Sequence, residues 1–175
     1  ISGEMQKEAI TAVLVATLCM LIYIWFRFSD IRYGASAVIA LLHDVLVVLT
    51  FYAVARLSVG GTFNACMLTI VGYSINATIV IFDRVRENWR EKKEEAELTT
   101  IVNRSISQTL TRSIFTSLTT FFMVTALYVL GVTSIREFAL PLMVGIVCGA
   151  YSSVCIAAQL WYVLKVKFPT VEEEE

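Results

Sequence analysis

The stretch GASAVIALLHDVLVVLTFYAV, at residues 34–54, identifies the structural class of the chain. It is apolar almost throughout, and it has the ~20 residues that an α-helix needs to cross the ~30 Å hydrocarbon core of a bilayer. Near its centre lie two adjacent residues that are unfavourable in hydrocarbon, His43 and Asp44. A helix satisfies its own backbone hydrogen bonds, whereas an open sheet in lipid does not. The stretch therefore predicts a membrane-spanning helix with a polar pair at its middle.

Four more long apolar runs flank this one. They cover residues 9–28, 63–82, 114–131 and 138–166. The whole chain of 175 residues is 57% apolar and 17% charged, whereas soluble domains average ~45–50% and ~25%. This composition excludes disorder, a secreted disulfide scaffold and a nucleic-acid-binding domain. We predict an all-α, polytopic bundle of five transmembrane helices, in which Pro141 is a first-turn residue or a mild kink of the last helix.

The basic residues predict the orientation of the bundle, because Lys and Arg near helix ends are retained in the cytoplasm. With the N-terminus outside and the C-terminus inside, only Lys7, Arg56 and Arg136 of the 14 basic residues lie outside. An odd number of spans that starts outside suggests that a preceding segment is missing. The polar stretch at about 83–111 then becomes a cytoplasmic connector with a charged helix over 84–98, either solvated or lying at an interface.

The ionisable pair in the second span needs a physical reason, because a charged side chain at mid-membrane costs at least ~2.5–3.5 kcal/mol. Neighbouring residues diverge by ~100° around a helix, so His43 and Asp44 do not both face one groove squarely. Asp44 is the better candidate for the interior. Two interpretations stay open: a neutral Asp or an Asp–His pair that locks helices together, and a group that handles protons.

On the third span, small and polar residues recur at helical spacing, namely Gly72, Asn76 and Asp83. Such a stripe is expected to face protein and not lipid. Asn76 can hydrogen-bond across helices for ~0.6–2 kcal/mol, and packing alone explains it almost as well as transport. At the cytoplasmic end we expect a local charge network, formed by Asp83, Arg84, Arg86 and Glu87.

The fourth span begins with a cation, Arg112, that leads a row of hydroxyls formed by Thr116, Thr119 and Thr120. Hydroxyls either relay protons through water or bond the carbonyls of their own helix. Arg112 itself either works inside the membrane or extends its side chain to the cytoplasmic surface, about one turn away. The pattern alone does not decide between these functions.

The fifth span carries small residues at close spacing. Gly145 and Gly149 form a small-xxx-small arrangement, and Ser152 and Ser153 follow it. This arrangement lets two helices approach closely. It predicts a tight bundle or an oligomer and says nothing about chemistry.

The sequence gives no indication of an enzyme, a cofactor or a metal site. It contains no nucleophile with a neighbouring base, no phosphate loop and no acid pair. His43 is the only histidine, and metal ligation needs convergent ligands, so a metal site is not expected. The four cysteines lie in apolar stretches and are interpreted as small buried hydrophobes: Cys19, Cys66, Cys148 and Cys155.

Several longer motifs together resemble the SecF family, membrane subunits that work with SecD beside the bacterial protein-export channel. They are ALLHDVLVVL (40–49), GYSINATIVIFDRVREN (72–88), TRSIFTSLTT (111–120) and EFALPLMVGIVCGAYSS (137–153). The opening ISGEMQKEA (1–9) resembles the exit from the family's extracytoplasmic domain into its second span. The match covers nearly the whole chain in order.

This resemblance implies a fold and a function. SecF proteins have six spans with an extracytoplasmic domain after the first, and they belong to the resistance-nodulation-division superfamily. This chain then corresponds to spans two to six, half of such a transporter core, in a bacterial inner membrane. The implied function is export of preproteins coupled to the proton gradient, with SecD and the SecYEG channel as partners. The implied relay residues are Asp44, Asn76, Arg112 and Thr116. Of these, Arg112 matches the family's functional arginine.

One departure from the family pattern affects this interpretation. The family usually has an acidic residue after the Asn of GYSIN, where this chain has Ala77. Either the relay is interrupted here, or it depends on Asp44, Arg112 and acidic residues of SecD. Three functions therefore remain open: a proton-coupled export subunit, a structural bundle that docks SecD to the channel, and a lipid or drug exporter of the same superfamily. The sequence does not discriminate between protons and sodium ions as the coupling ion.

Overall fold

A computed structural model describes residues 2–28, 30–92 and 96–168, and these form a bundle of long helices. The elements are α1 (Ser2–Phe28), α2 (Ile31–Val54), α3 (Gly61–Lys92), α4 (Leu98–Leu130), α5 (Thr133–Ser152), a π-helical segment (Ser153–Ala157) and α6 (Ala158–Lys167). The last three follow one another without a break. Five helices are long and apolar enough to cross a membrane, and the described residues contain no strand. The predicted all-α membrane bundle with five spans is confirmed.

The helix α3 and the continuous rod of α5 and α6 form the centre of the bundle. In α3 and in this rod, half of the residues in the most apolar part are buried inside the bundle. The corresponding share is 6% for α1 and 11% for α4. α3 contacts α1, α2, α4 and α5, and α2 packs against α5 and α6. α1 and α4 therefore lie at the periphery, and much of α4 faces away from the chain.

An aromatic cluster closes the end of the bundle that carries most of the basic residues. Tyr33 stacks between Phe28 and Trp161, each with ring centroids 4.8 Å away, and Phe82 meets the Tyr33 ring edge-on at 5.1 Å. All four side chains are buried. This cluster joins α1, α2, α3 and α6 by apolar burial and ring packing.

The polar stretch at 83–111 is mostly helical, because most of it belongs to the ends of the two neighbouring helices. α3 continues to Lys92 and α4 begins at Leu98, while residues 93–95 lie outside the described part. Glu, Lys and Arg are good helix formers, so α3 extends beyond its apolar part. The amide of Asn88 donates to Ser105 Oγ (2.8 Å) and to Gln108 Oε1 (2.9 Å), which fastens the two extensions side by side.

Two further expectations are corrected. Pro141 lies in the interior of α5, so the first of its two predicted positions, in the first turn, is wrong, because the helix already begins at Thr133. Polar residues precede the apolar run there and still adopt helical structure. The cysteines are also not uniformly buried: Cys66 and Cys148 are, whereas Cys19 and Cys155 lie on the outer surface of the bundle.

Close packing of α5 on α3 leads to a stability prediction. A methyl group at Gly145 would lie 2.5 Å from Cγ1 of Ile70, a buried side chain of α3. We expect Gly145→Ala to destabilise the bundle by about 1–3 kcal/mol, the usual cost of overpacking. Gly72→Ala is the matched control, because a methyl group there meets no atom within 4 Å. Thermal unfolding of the detergent-purified protein measures both, and equal shifts would contradict the packing at Gly145.

Candidate functional site

A buried carboxylate joins the three inner helices. Asp44, halfway along α2, is 0% exposed. Its Oδ2 accepts hydrogen bonds from Ser74 Oγ on α3 and from Ser152 Oγ on α5, the latter at 2.7 Å. Its Oδ1 accepts from Cys148 Sγ at 3.2 Å. The structure thus places Asp44 in the interior, with donors on both oxygens.

The small residues of α5 make this cluster possible. A methyl group at Gly149 would lie 3.4 Å from Cβ and 3.5 Å from Cα of Ser74, so the two backbones are close at this level. Cys148 and Ser152 are one turn apart on α5 and both reach Asp44. The predicted packing role of Gly145 and Gly149 therefore has a chemical consequence, because it brings two serines to one carboxylate.

His43 contacts Asp44 although the two are neighbours on the helix. Its Nδ1 lies 3.1 Å from Asp44 Oδ1 and 3.8 Å from Cys148 Sγ. The imidazole stays at the edge of the cluster, with 38% of the side chain exposed. The Asp–His pair considered from the sequence is thus present. Cys148, which the sequence led us to interpret as a small buried hydrophobe, is buried and also has polar partners.

A second polar site lies between α3 and α4 on the outer surface. It is a groove of about 80 Å³ that is lined by Tyr73, Asn76, Ala77, Val80, Arg112, Ser113, Thr116 and Ser117. Asn76, Arg112 and Thr116 are exposed. The Tyr73 hydroxyl donates to Ser117 Oγ at 2.9 Å and ties the two helices together at the groove. This volume accommodates several waters.

The cation of the groove has no countercharge in the part of the chain that the structure describes. None of the side chains that line the groove is acidic. The hydroxyl of Thr116 donates to the carbonyl of Arg112 at 2.8 Å, and those of Thr119 and Thr120 likewise bond carbonyls of α4. The threonine row is therefore satisfied by its own helix, as one of the two interpretations of the sequence proposed.

The predicted relay residues divide between these two sites. Asn76, Ala77, Arg112 and Thr116 share the groove, and Asp44 lies in the interior cluster. α3 separates them, with Ser74 facing Asp44 and Tyr73 facing the groove. The sequence did not single out Ser74 or Cys148, and it identified Ser152 only as a packing residue. A serine in a predicted span was the one available signal.

The stripe of Gly72 and Asn76 does not face the interior of this chain, because both residues are exposed. The expectation that it faces protein therefore concerns protein outside this chain. The charge network at the basic end is also rearranged. Asp83 pairs with Arg27 of α1 at 3.0 Å, and the Arg86 guanidinium donates to the Arg27 carbonyl at 2.7 Å.

The remaining pair of that network is local, with Arg84 Nη1 2.6 Å from Glu87 Oε2. Arg84 Nε also donates to Gln108 Oε1 at 2.7 Å. Gln108 lies one turn before Arg112 on α4. The groove is thus held by hydrogen bonds between α3 and α4 on both sides, at Arg84–Gln108 and at Tyr73–Ser117.

Comparisons with known proteins agree on one family. Residues 1–167 match the family described as "Protein export membrane protein SecD/SecF, C-terminal". The chain is 47% identical over 163 residues to the protein translocase subunit SecF of Alicyclobacillus acidocaldarius, covering 92% of this chain and 53% of that protein. It is 44% identical over 167 residues to the protein translocase subunit SecDF of Bacillus subtilis, covering 94% of this chain and 22% of that protein.

The fold is also similar to a solved structure. The crystal structure of SecDF, a translocon-associated membrane protein from Thermus thermophilus, superposes with a TM-score of 0.87 at 42% identity. The match covers 92% of this chain and 22% of that one. The chain thus spans about half the length of the SecF relative and a smaller part of the fused proteins.

Proposed function

Since the chain belongs to the SecD/SecF C-terminal family, we propose that it is the membrane part of a SecF-type subunit of the Sec protein-export machinery. In this proposal it works in a bacterial inner membrane beside SecD and the SecYEG channel. It is not an enzyme; it couples the flow of protons to the translocation of preproteins. The relatives named SecF and SecDF support the export function, and the fused SecDF proteins support the pairing with SecD.

The observation that carries this proposal is the exposed cation in the groove. Arg112 and Asn76 lie on the outer face of a membrane helix bundle, where lipid would leave them unsatisfied. A partner helix that supplies a carboxylate and covers the groove removes this cost. SecD is the partner that we propose for this face, and Gly72 on the same stripe lets its helix approach closely.

Asp44 is the group in this chain that we propose to gain and lose a proton during the cycle. Two serine hydroxyls, one from α3 and one from α5, donate hydrogen bonds to its Oδ2. Protonation removes the charge and weakens these bonds, which changes the contacts between α2, α3 and α5. Such a two-state element is what converts a proton step into movement. Asn76 and Thr116 then hold water beside Arg112.

A structural role is the second candidate, and Ala77 is the observation that favours it. The side chain of Ala77 lines the groove beside Arg112, and a methyl group carries no proton. In this alternative the bundle docks SecD to the channel without conducting protons. The threonine hydroxyls bonded to their own helix agree with this alternative as well.

An Ala77→Asp variant tests the proposal. The full-length protein would be expressed with SecD in cells that lack their own SecF, and export of a secreted reporter would be measured with and without a proton gradient. We expect both versions to restore gradient-dependent export within about twofold, because the coupling groups are Asp44, Arg112 and a carboxylate of SecD. Restoration by the Asp version alone would show an interrupted relay. Export that is restored to the same level with and without the proton gradient would support the structural alternative.

A further inference from the structure

We propose that His43, Asp44 and Cys148 form a binding site for a zinc-like divalent transition metal. One imidazole, one carboxylate and one thiol converge there, with a ligand atom from each residue within 4.8 Å of the others. The sequence predicted no metal site on the ground that ligands do not converge. The structure contradicts that ground, because packing of α5 on α2 brings Cys148 to the His43–Asp44 pair.

The distances suit a tetrahedral metal. The three edges of the ligand triangle are 3.1 Å from His43 Nδ1 to Asp44 Oδ1, 3.2 Å from Cys148 Sγ to the same oxygen, and 3.8 Å from Sγ to Nδ1. Zinc bonds of ~2.0–2.3 Å at tetrahedral angles require separations of about 3.4–3.6 Å. Shifts of a few tenths of an ångström therefore complete the triangle without moving a helix.

The charges also balance. A thiolate and a carboxylate together neutralise a divalent cation, so that the occupied site carries no net charge in a low-dielectric bundle. A metal-bound carboxylate is deprotonated, so the metal competes with the proton proposed above to bind Asp44. On binding, the proton of Cys148 Sγ leaves to solution and a sulfur–metal bond replaces the hydrogen bond to Asp44 Oδ1. His43 ligates through Nδ1 with its proton on Nε2. Neutral imidazole and thiolate are common zinc ligands.

The surroundings already orient one ligand. Ser74 and Ser152 both donate to Asp44 Oδ2, which leaves Oδ1 directed at the sulfur and the imidazole. Hydrogen bonds of this kind fix the ligands of metal sites and strengthen binding. His43 is the most exposed of the three side chains, so the metal reaches the site past its ring. The fourth position stays open for water or an added ligand.

Cobalt(II) is a suitable probe, because thiolate ligation gives a charge-transfer absorption band in the near ultraviolet. The full-length protein in lipid nanodiscs would be stripped with chelator and titrated with cobalt, and zinc would then be added. We expect one equivalent of cobalt, a thiolate band, and displacement of the cobalt by zinc. Cys148→Ser is expected to abolish the band, whereas Cys155→Ser, which removes an exposed thiol of the same rod, is expected to retain it.

His43→Gln provides an independent test. The imidazole ring of His43 is partly exposed and contributes little to the core. We expect the substitution to weaken cobalt binding by about tenfold or more, because loss of a ligand costs at least as much as loss of its supporting contacts. Unfolding temperatures without metal show whether the variants are folded. Absence of the band, or an equal band in Cys148→Ser, overturns the proposal. The assay does not involve export, so its result is separate from that of the proposed function.

Discussion

Replacing Arg112 by Gln is expected to reduce gradient-dependent export by about thirtyfold to a few thousandfold. Loss of one member of a desolvated charge pair costs about 2–5 kcal/mol, and each ~1.4 kcal/mol corresponds to a factor of ten. Arg112 lines the groove between α3 and α4, and no acidic side chain of that groove offsets its charge. If a carboxylate of SecD faces it, the neutral variant leaves that carboxylate unpaired in the membrane. Reporter export in cells lacking their own SecF measures the effect.

Arg104→Gln is the matched control for this experiment. Arg104 is exposed on the same helix, about two turns before Arg112, and it does not line the groove. We expect this control to export within about twofold of the unmodified protein, as surface charges contribute little on their own. Equal losses in both variants would mean that basic charge on α4 matters generally. No loss in Arg112→Gln would contradict the role proposed for the groove.

Replacing Asp44 by Asn is expected to abolish gradient coupling while the bundle stays folded. The amide oxygen can accept the hydrogen bonds that Ser74 and Ser152 now donate to Oδ2. The amide nitrogen then faces His43 Nδ1 and Cys148 Sγ, both of which accept hydrogen bonds in suitable protonation states. We therefore expect a change in unfolding free energy of about 1 kcal/mol or less, the scale of one net hydrogen bond.

Export is expected to fall by about tenfold or more in the same variant, because an amide does not gain and lose a proton. Ser36→Ala is the control: this buried hydroxyl of α2 bonds only carbonyls of its own helix in the described structure. Full activity of Asp44→Asn with an unchanged unfolding temperature would show that the cluster only locks helices together. Loss of folding in Asp44→Asn would mean that the carboxylate charge itself is needed for packing.

The spans could be predicted from the sequence, because crossing a bilayer requires only length and apolar composition. The ends of α3 and α4 could not be predicted, since charged residues extend a helix as readily as they end a span. The partners of Asp44 were also beyond prediction. Ser74 and Ser152 are 30 and 108 residues away, and their meeting depends on how deeply α5 packs against α3.

The outward face of α3 shows a different limit. Gly72 and Asn76 have the pattern of a packed stripe. The pattern indicates that protein covers these residues, but it does not indicate which chain the covering protein belongs to. In the structure this face is open. Helix packing within one chain is therefore not enough to interpret such a stripe, because the covering surface belongs in our proposal to SecD.

The π-helical segment at 153–157 has a consequence for chain length. Ser152, which precedes the segment in the chain, donates a hydrogen bond to Asp44. Lys165 follows the segment, and its Nζ lies 4.2 Å from the centre of the Trp89 ring. A π turn holds one residue more than an α turn, so a chain shortened by one residue within 153–157 could close into a regular α-helix with both contacts still in phase. A deletion between Ala158 and Lys165 would instead rotate Lys165 by about 100°. The segment is thus the place where this rod tolerates a single-residue gap in an alignment.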